Sequence, residues 1–168
     1  IIFQRLMELM MSIPVFFLII TIIAFYPGGG IWMVMVVIGL TGWTGIARYT
    51  RAEFLKTRNQ DYVSASIAIG NPEIRTIFRH ILPNSIAPVM VSVVFGIASA
   101  ILYESTLSFL GLGSATSFSW GAILSVARGA YYAWWLAFFP GLAIFLTVTT
   151  YNLVGEGLRD ALDPRLKQ

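Results

Sequence analysis

The chain has 168 residues, of which 57% are hydrophobic and only 11% charged, with a formal net charge of +3. Its mean hydropathy is +0.78. A soluble domain carries about 25% charged residues, so this chain has too little polar surface to cover a water-facing exterior. The small positive balance calls for no nucleic-acid partner, and the absence of cysteine excludes disulfides, thiolate chemistry and cysteine-ligated metals.

The opening residues, "IIFQRLMELM", show neither an initiating Met nor a signal-peptide pattern and read as the continuation of a helix. The expectation is one membrane domain over residues 1–168, incomplete at its N-terminus. No charge occurs between Glu8 and Arg48. A helix needs about 20 apolar residues to cross the hydrocarbon core. A first span is expected from about Met7 to Tyr26, with Pro14 inside it, ended by the "PGGG" breaker at Pro27 to Gly30. A second runs from about Ile31 to Ala47.

A polar segment follows, and within it "DYVSASIAIGNPEIRTIFRHILPN" (Asp61 to Asn84) reads as two short helices joined at Gly70. Gly70 suits the left-handed position that ends a helix. Asn71 suits an N-cap and Pro72 the first helical position. On the second helix Ile74, Ile77, Phe78, Ile81 and Leu82 recur at i, i+3, i+4, i+7 and i+8, one apolar face. Glu73, Arg75, Thr76, Arg79 and His80 fall elsewhere, and Pro83 is expected to close the helix. Such a helix can lie on lipid, pack on its own bundle or dock on a partner protein. A DNA-binding helix-turn-helix meets the turn criterion but not the membrane context.

A third span is expected from about Ile86 to Tyr103. Gly96 and Ala100 provide small residues one turn apart, which is helix-contact chemistry. Glu104, at its far boundary, is expected to reach water or Arg128 rather than a ligand. Residues 111–133 read as a short external helix followed by an aromatic belt of Tyr131, Tyr132, Trp134 and Trp135. The fourth span runs from about Trp134 to Leu153. Asp160 and Asp163, beside Arg159 and Arg165, read as a locally paired, solvated tail.

Orientation follows from the positive-inside rule. With the 48–84 loop in the cytoplasm, Arg128 is the single outer residue among the 11 basic ones, and both ends of the chain are cytoplasmic. The fold class expected is therefore all-α: a polytopic membrane bundle of four helices, with a cytoplasmic helix–bend–helix loop over residues 60–84.

No enzyme signature is present: no HExxH, no Walker A loop, no G-x-S-x-G. His80 is the one histidine, which rules out a multi-histidine metal site. No Asp, Glu, Lys or Arg lies mid-span, which removes the usual proton relay of a secondary carrier. No catalytic residue, metal or cofactor is expected in this chain.

The Asp61–Asn84 segment resembles the cytoplasmic "EAA" loop of ABC-importer permease subunits, whose pattern is E-A-A, three residues, G, nine residues, I-x-L-P. Ser64, Ala65 and Ser66 take the E-A-A slots, Gly70 the glycine, His80 the isoleucine and Leu82-Pro83 the final pair. The family glutamate is thus Ser64 here. "YESTLSFLGLG" (Tyr103 to Gly113), "SWGAIL" (Ser119 to Leu124), "FFPGLAIFLTV" (Phe138 to Val148) and "NLVGEGLRDALDPRLK" (Asn152 to Lys167) are similar to the C-type permease of the dipeptide, oligopeptide and nickel group. Members usually carry a further N-terminal span and an external segment before it.

The resemblance implies a multi-pass protein of the prokaryotic inner membrane, forming half of a pathway for peptides or related small solutes. It implies as partners a second, B-type permease subunit, two ATPase subunits that carry ATP and Mg, and an external substrate-binding protein. Asp61, Ser64, Ala65, Ser66, Gly70 and Pro83 would form the ATPase-coupling segment. Ile74, Ile77, Phe78 and Ile81 would anchor the second helix to the bundle. Two other classes remain: a stand-alone channel or secondary transporter, and a membrane scaffold whose loop holds a soluble partner.

Overall fold

The computed structural model describes residues 2–26, 30–113 and 118–162. Among these the chain is helical and contains no strand. The helices are α1 (Ile2–Ser12), α2 (Val15–Phe25), α3 (Gly30–Arg58), α4 (Asp61–Ala68), α5 (Glu73–Thr76), α6 (Leu82–Phe109), α7 (Trp120–Ala127) and α8 (Trp135–Leu162). A π-turn at Ile77–Ile81 joins α5 to α6 without a break.

Among the described residues three helices are long and apolar enough to cross a membrane: Gly30–Arg58, Glu73–Phe109 and Trp135–Leu162. A fourth span exists only if α1 and α2 count as one, and these meet at a bend of 85°. The single helix expected from Met7 to Tyr26 is therefore broken at Ile13-Pro14. Proline lacks the N–H and its ring clashes with the preceding turn. Pro14 sits just before α2 with φ of −58° and ψ of 122°, outside the helical region. With 11 residues, α2 reaches only about 16 Å at 1.5 Å per residue, about half the hydrocarbon thickness.

The third span also begins earlier than expected. Pro83 does not close a helix but lies inside a continuous run from Glu73 to Phe109. The π-turn explains how. Leu82 N–H bonds to Ile77 O, five residues back. This wider turn absorbs the proline that follows, and Asn84 Nδ2 donates to His80 O at 2.7 Å.

Two compact units divide the chain: residues 1–44 with 96–152, and residues 45–95 with 153–168. The first is apolar, its described basic residues being Arg5 and Arg128. Its core gathers Ile19 and Ile23 of α2, Val34 and Val37 of α3 and Leu107 of α6. The Phe16 ring stacks on Tyr103 at 6.4 Å. Gly121 of α7 lies so close to α6 that a Cβ there would overlap the Ser105 carbonyl oxygen.

The second unit carries Arg48, Arg51, Lys56, Arg58, Arg75, Arg79 and Arg159. Its buried side chains include Val63, Ser66, Thr76, Ile81, Ser85 and Val91. Gly155 leaves room for the Phe95 ring, which a Cβ would meet at 3.0 Å.

Outside these cores the spans are bare. Trp32, Val36 and Leu40 on α3, and Phe138, Phe139, Phe145 and Leu146 on α8, are all exposed. Apolar surface of this extent is not stable in water; around a spanning helix it is the surface that lipid covers.

Candidate functional site

The helix–bend–helix segment lies wholly within the second unit. Asp61 opens α4, where its charge complements the helix dipole. The helix ends in a Schellman arrangement. Gly70 has φ of +84°; its N–H bonds to Ile67 O at 2.9 Å, and Asn71 N–H reaches Ser66 O at 3.3 Å. These are the 5→2 and 6→1 bonds of a left-handed C′ residue.

The expected N-cap moves by one residue. Pro72 occupies the cap, and Thr76 N–H bonds to Pro72 O at 3.1 Å. The Asn71 side chain instead turns back: its Nδ2 donates to Ser66 Oγ at 3.1 Å. Ser66 Oγ in turn lies 3.2 Å from Thr76 Oγ1. Ser66 and Thr76 are buried, so a polar knot holds α4 to α5 across the glycine.

The coupling candidates divide by exposure. Asp61, Ser64, Ala65, Gly70 and Pro83 are exposed. Ser66 is buried, as is Val63 one turn before it. Outward from α4 and the bend stand Tyr62, Ile67 and Ile69, the last 80% exposed.

The four expected anchors separate as well. Ile81 is buried and Ile77 half-buried, whereas Ile74 and Phe78 are 72% and 66% exposed. Of the four, Ile77 and Ile81 are the two packed against this chain's own described residues. Thr76, expected off the packed face, is buried at 2% exposure. The physical reason is the π-turn. Residues five apart stack there, so Thr76 and Ile81 share the inner side and the 3.6-residue stripe does not carry through. Thr76 and Val63 are the positions that apolar periodicity misses; the hydroxyl pair Ser66–Thr76 left no local signal, being ten residues apart in sequence.

Elsewhere, the short helix expected between residues 111 and 133 is present as α7, capped by Ser119 Oγ, which accepts from Ala122 N–H at 3.2 Å. Tyr131 and Tyr132 are exposed at 91% and 83%. Trp134 lies edge-on to Phe138 and stacks on Phe139. Glu104 does not pair with Arg128. It accepts from Ser108 Oγ at 2.7 Å, while the Arg128 guanidinium bonds Ser125 Oγ at 2.8 Å and lies 4.7 Å from the Phe109 ring centre. Among the described residues nothing lies within 4 Å of a Cβ placed on Gly96, so that residue makes no close helix contact with them. Asp160 forms no ion pair among the described residues. Asp163, Arg165 and Lys167 lie outside them, as do Pro27 to Gly29.

Long apolar helices, bare lipid-facing surfaces and a polar loop with a built bend define a polytopic helical membrane protein. The chain belongs to the family described as the binding-protein-dependent transport system inner membrane component, whose model matches residues 1–168. It is 45% identical, over 98% of its length, to a Brucella suis protein described as a peptide transport system permease. It is 41% identical, over 99%, to the dipeptide transport system permease protein DppC of Escherichia coli K12. To the oligopeptide transport system permease protein OppC of Bacillus subtilis it is 37% identical, again over 99%. The chain spans little more than half of these relatives, 56%, 56% and 55% of their lengths.

Proposed function

We propose that this chain is a membrane-spanning portion of a permease subunit in an ATP-driven importer of peptides or related small solutes. It forms half of the pathway beside a second permease subunit. An external binding protein delivers the solute, and two cytoplasmic ATPase subunits, which hold ATP and Mg, drive the cycle. The support is the family membership together with the peptide, dipeptide and oligopeptide permeases among its relatives.

The single observation that carries the coupling role is the Gly70 bend. It leaves Tyr62, Ile67 and Ile69 outward on a short helix while Val63 and Ser66 face inward. Exposed apolar side chains on a charged loop need a covering surface, and a groove on the ATPase supplies one. In this reading the loop sits in the cytoplasm with residues 48–84, and the basic-residue distribution supports that side. From α5 the chain passes without a break into a spanning helix. Closure of the ATPase dimer moves α4, and the continuous helix carries that displacement toward the pathway. ATP binding thereby biases two arrangements of one bundle through differential contacts.

The test is copurification of the ATPase with the full-length permease, and ATP-dependent peptide uptake by the assembled complex, for the natural protein and for Gly70→Val. Loss of both in a folded variant is expected. Solute movement by the purified permease without any ATPase would establish a channel instead. ATPase capture with no solute movement would establish a scaffold.

A further inference from the structure

Within the apolar unit, α3, α6 and the start of α7 line a cavity of about 730 Å³. Its walls include Met35, Ile38, Ile101, Trp120 and Ile123, and among the lining residues Glu104 alone is ionisable. Among the described residues the Glu104 carboxylate accepts one bond, from Ser108 Oγ on its own helix, although such a group can accept about four. No described cation lies within ion-pair distance of it. Arg128, the described cation of the outer segment, is engaged by Ser125 and the Phe109 ring. The neighbouring Ser105, also in the lining, buries its hydroxyl with no hydrogen-bond partner among the described residues.

Glu104 is half-buried at the edge of these apolar walls, so a cation entering the cavity finds a counter-ion beside an apolar surface. A metal ion is a poor fit, because no group of three carboxylate or imidazole ligands occurs among the described residues. The volume lies in the range of small-molecule sites, roughly 300 to 1,000 Å³. We propose that this cavity binds a small amphiphilic organic cation, with Glu104 as counter-ion to its ammonium group and the apolar walls around its body. Taken with the transport reading above, on which this further step rests, the cation is the free amino terminus of a short peptide in transit.

The experiment uses the full-length permease in its complex, held in lipid nanodiscs. The probes are the dipeptide leucyl-phenylalanine and its N-acetylated form, with affinity measured calorimetrically. N-acetylation is expected to weaken binding to the natural protein about tenfold or more, the size of one hydrogen bond to a charged group. Glu104→Gln should remove the distinction by lowering the affinity of the free-amine form alone, and Glu104→Asp should keep part of it. Equal affinity of the two forms for the natural protein overturns the proposal, and so does an equal loss of both in Glu104→Gln. Should that variant fail to assemble, the comparison on the natural protein decides. ATP-driven uptake is measured separately on the same complex. Amine-selective binding without uptake would count against the transport reading and leave this site standing; uptake without amine selectivity would do the reverse.

Discussion

The hydroxyl of Ser66 lies 3.2 Å from that of Thr76 across the Gly70 bend, and both side chains are buried. The Asn71 amide completes the knot from the bend itself. Three polar side chains thus take the place of the apolar contact that usually closes a Schellman turn, and the relative direction of α4 and α5 depends on them.

Ser66→Ala leaves the Asn71 amide and the Thr76 hydroxyl without this partner. A loss of about 1 to 2 kcal/mol is expected, the cost of an unsatisfied buried group. Thr76→Val should cost a similar amount, and the double variant less than the sum. Thermal unfolding of the detergent-solubilised permease checks it; additive losses would show that the two hydroxyls act independently.

At Gly70 a Cβ would have open space, so any penalty is one of backbone conformation alone. Gly70→Asn should be tolerated, because Asn enters the left-handed region readily. Gly70→Val should cost on the order of 1 to 2 kcal/mol locally and abolish ATPase copurification. Proteolytic nicking at residues 69–72, raised in Val and not in Asn, gives a readout independent of transport.

Ile67 and Ile69 are exposed and contribute nothing to the core of the chain. Replacing both by Gln, which adds no charge at the C-terminal end of α4, should leave the melting temperature nearly unchanged. ATPase copurification and ATP-dependent uptake should fall at least tenfold, since apolar anchors contribute roughly 1.5 to 3 kcal/mol each when buried. Unimpaired assembly of the double variant would show that this face does not meet the ATPase.

Gly121→Ala introduces a methyl group where the Ser105 carbonyl already stands. Separation of α7 from α6 and a loss of about 1 to 3 kcal/mol are expected. Gly155→Ala meets only the edge of the Phe95 ring at 3.0 Å and should cost less. Melting temperatures of the two variants, measured side by side, give the order.

Much of this architecture is legible in the residues themselves. Charge-free runs mark the spans because hydrocarbon rejects unpaired charge. Gly70 announces its bend because only a residue without Cβ takes positive φ freely. Ser119 before "WGAIL" announces the start of α7. The misjudged positions share one cause, a shift of helical register that single-residue preferences do not announce. Pro83 looks like a terminator until the π-turn ahead of it widens the helix by one residue. Ile74 and Phe78 fall on an apolar stripe that the same turn dissolves.

Composition and local pattern alone therefore determined that this is a helical membrane protein with a bent polar loop, since these depend on transfer energies and on the φ preference of single residues. Tertiary structure decided the rest: the Ser66–Thr76 bond and the approach of Gly121 to Ser105. Each of these is a relation between groups whose partner, register or packing is set by the folded chain, and no local preference specifies it.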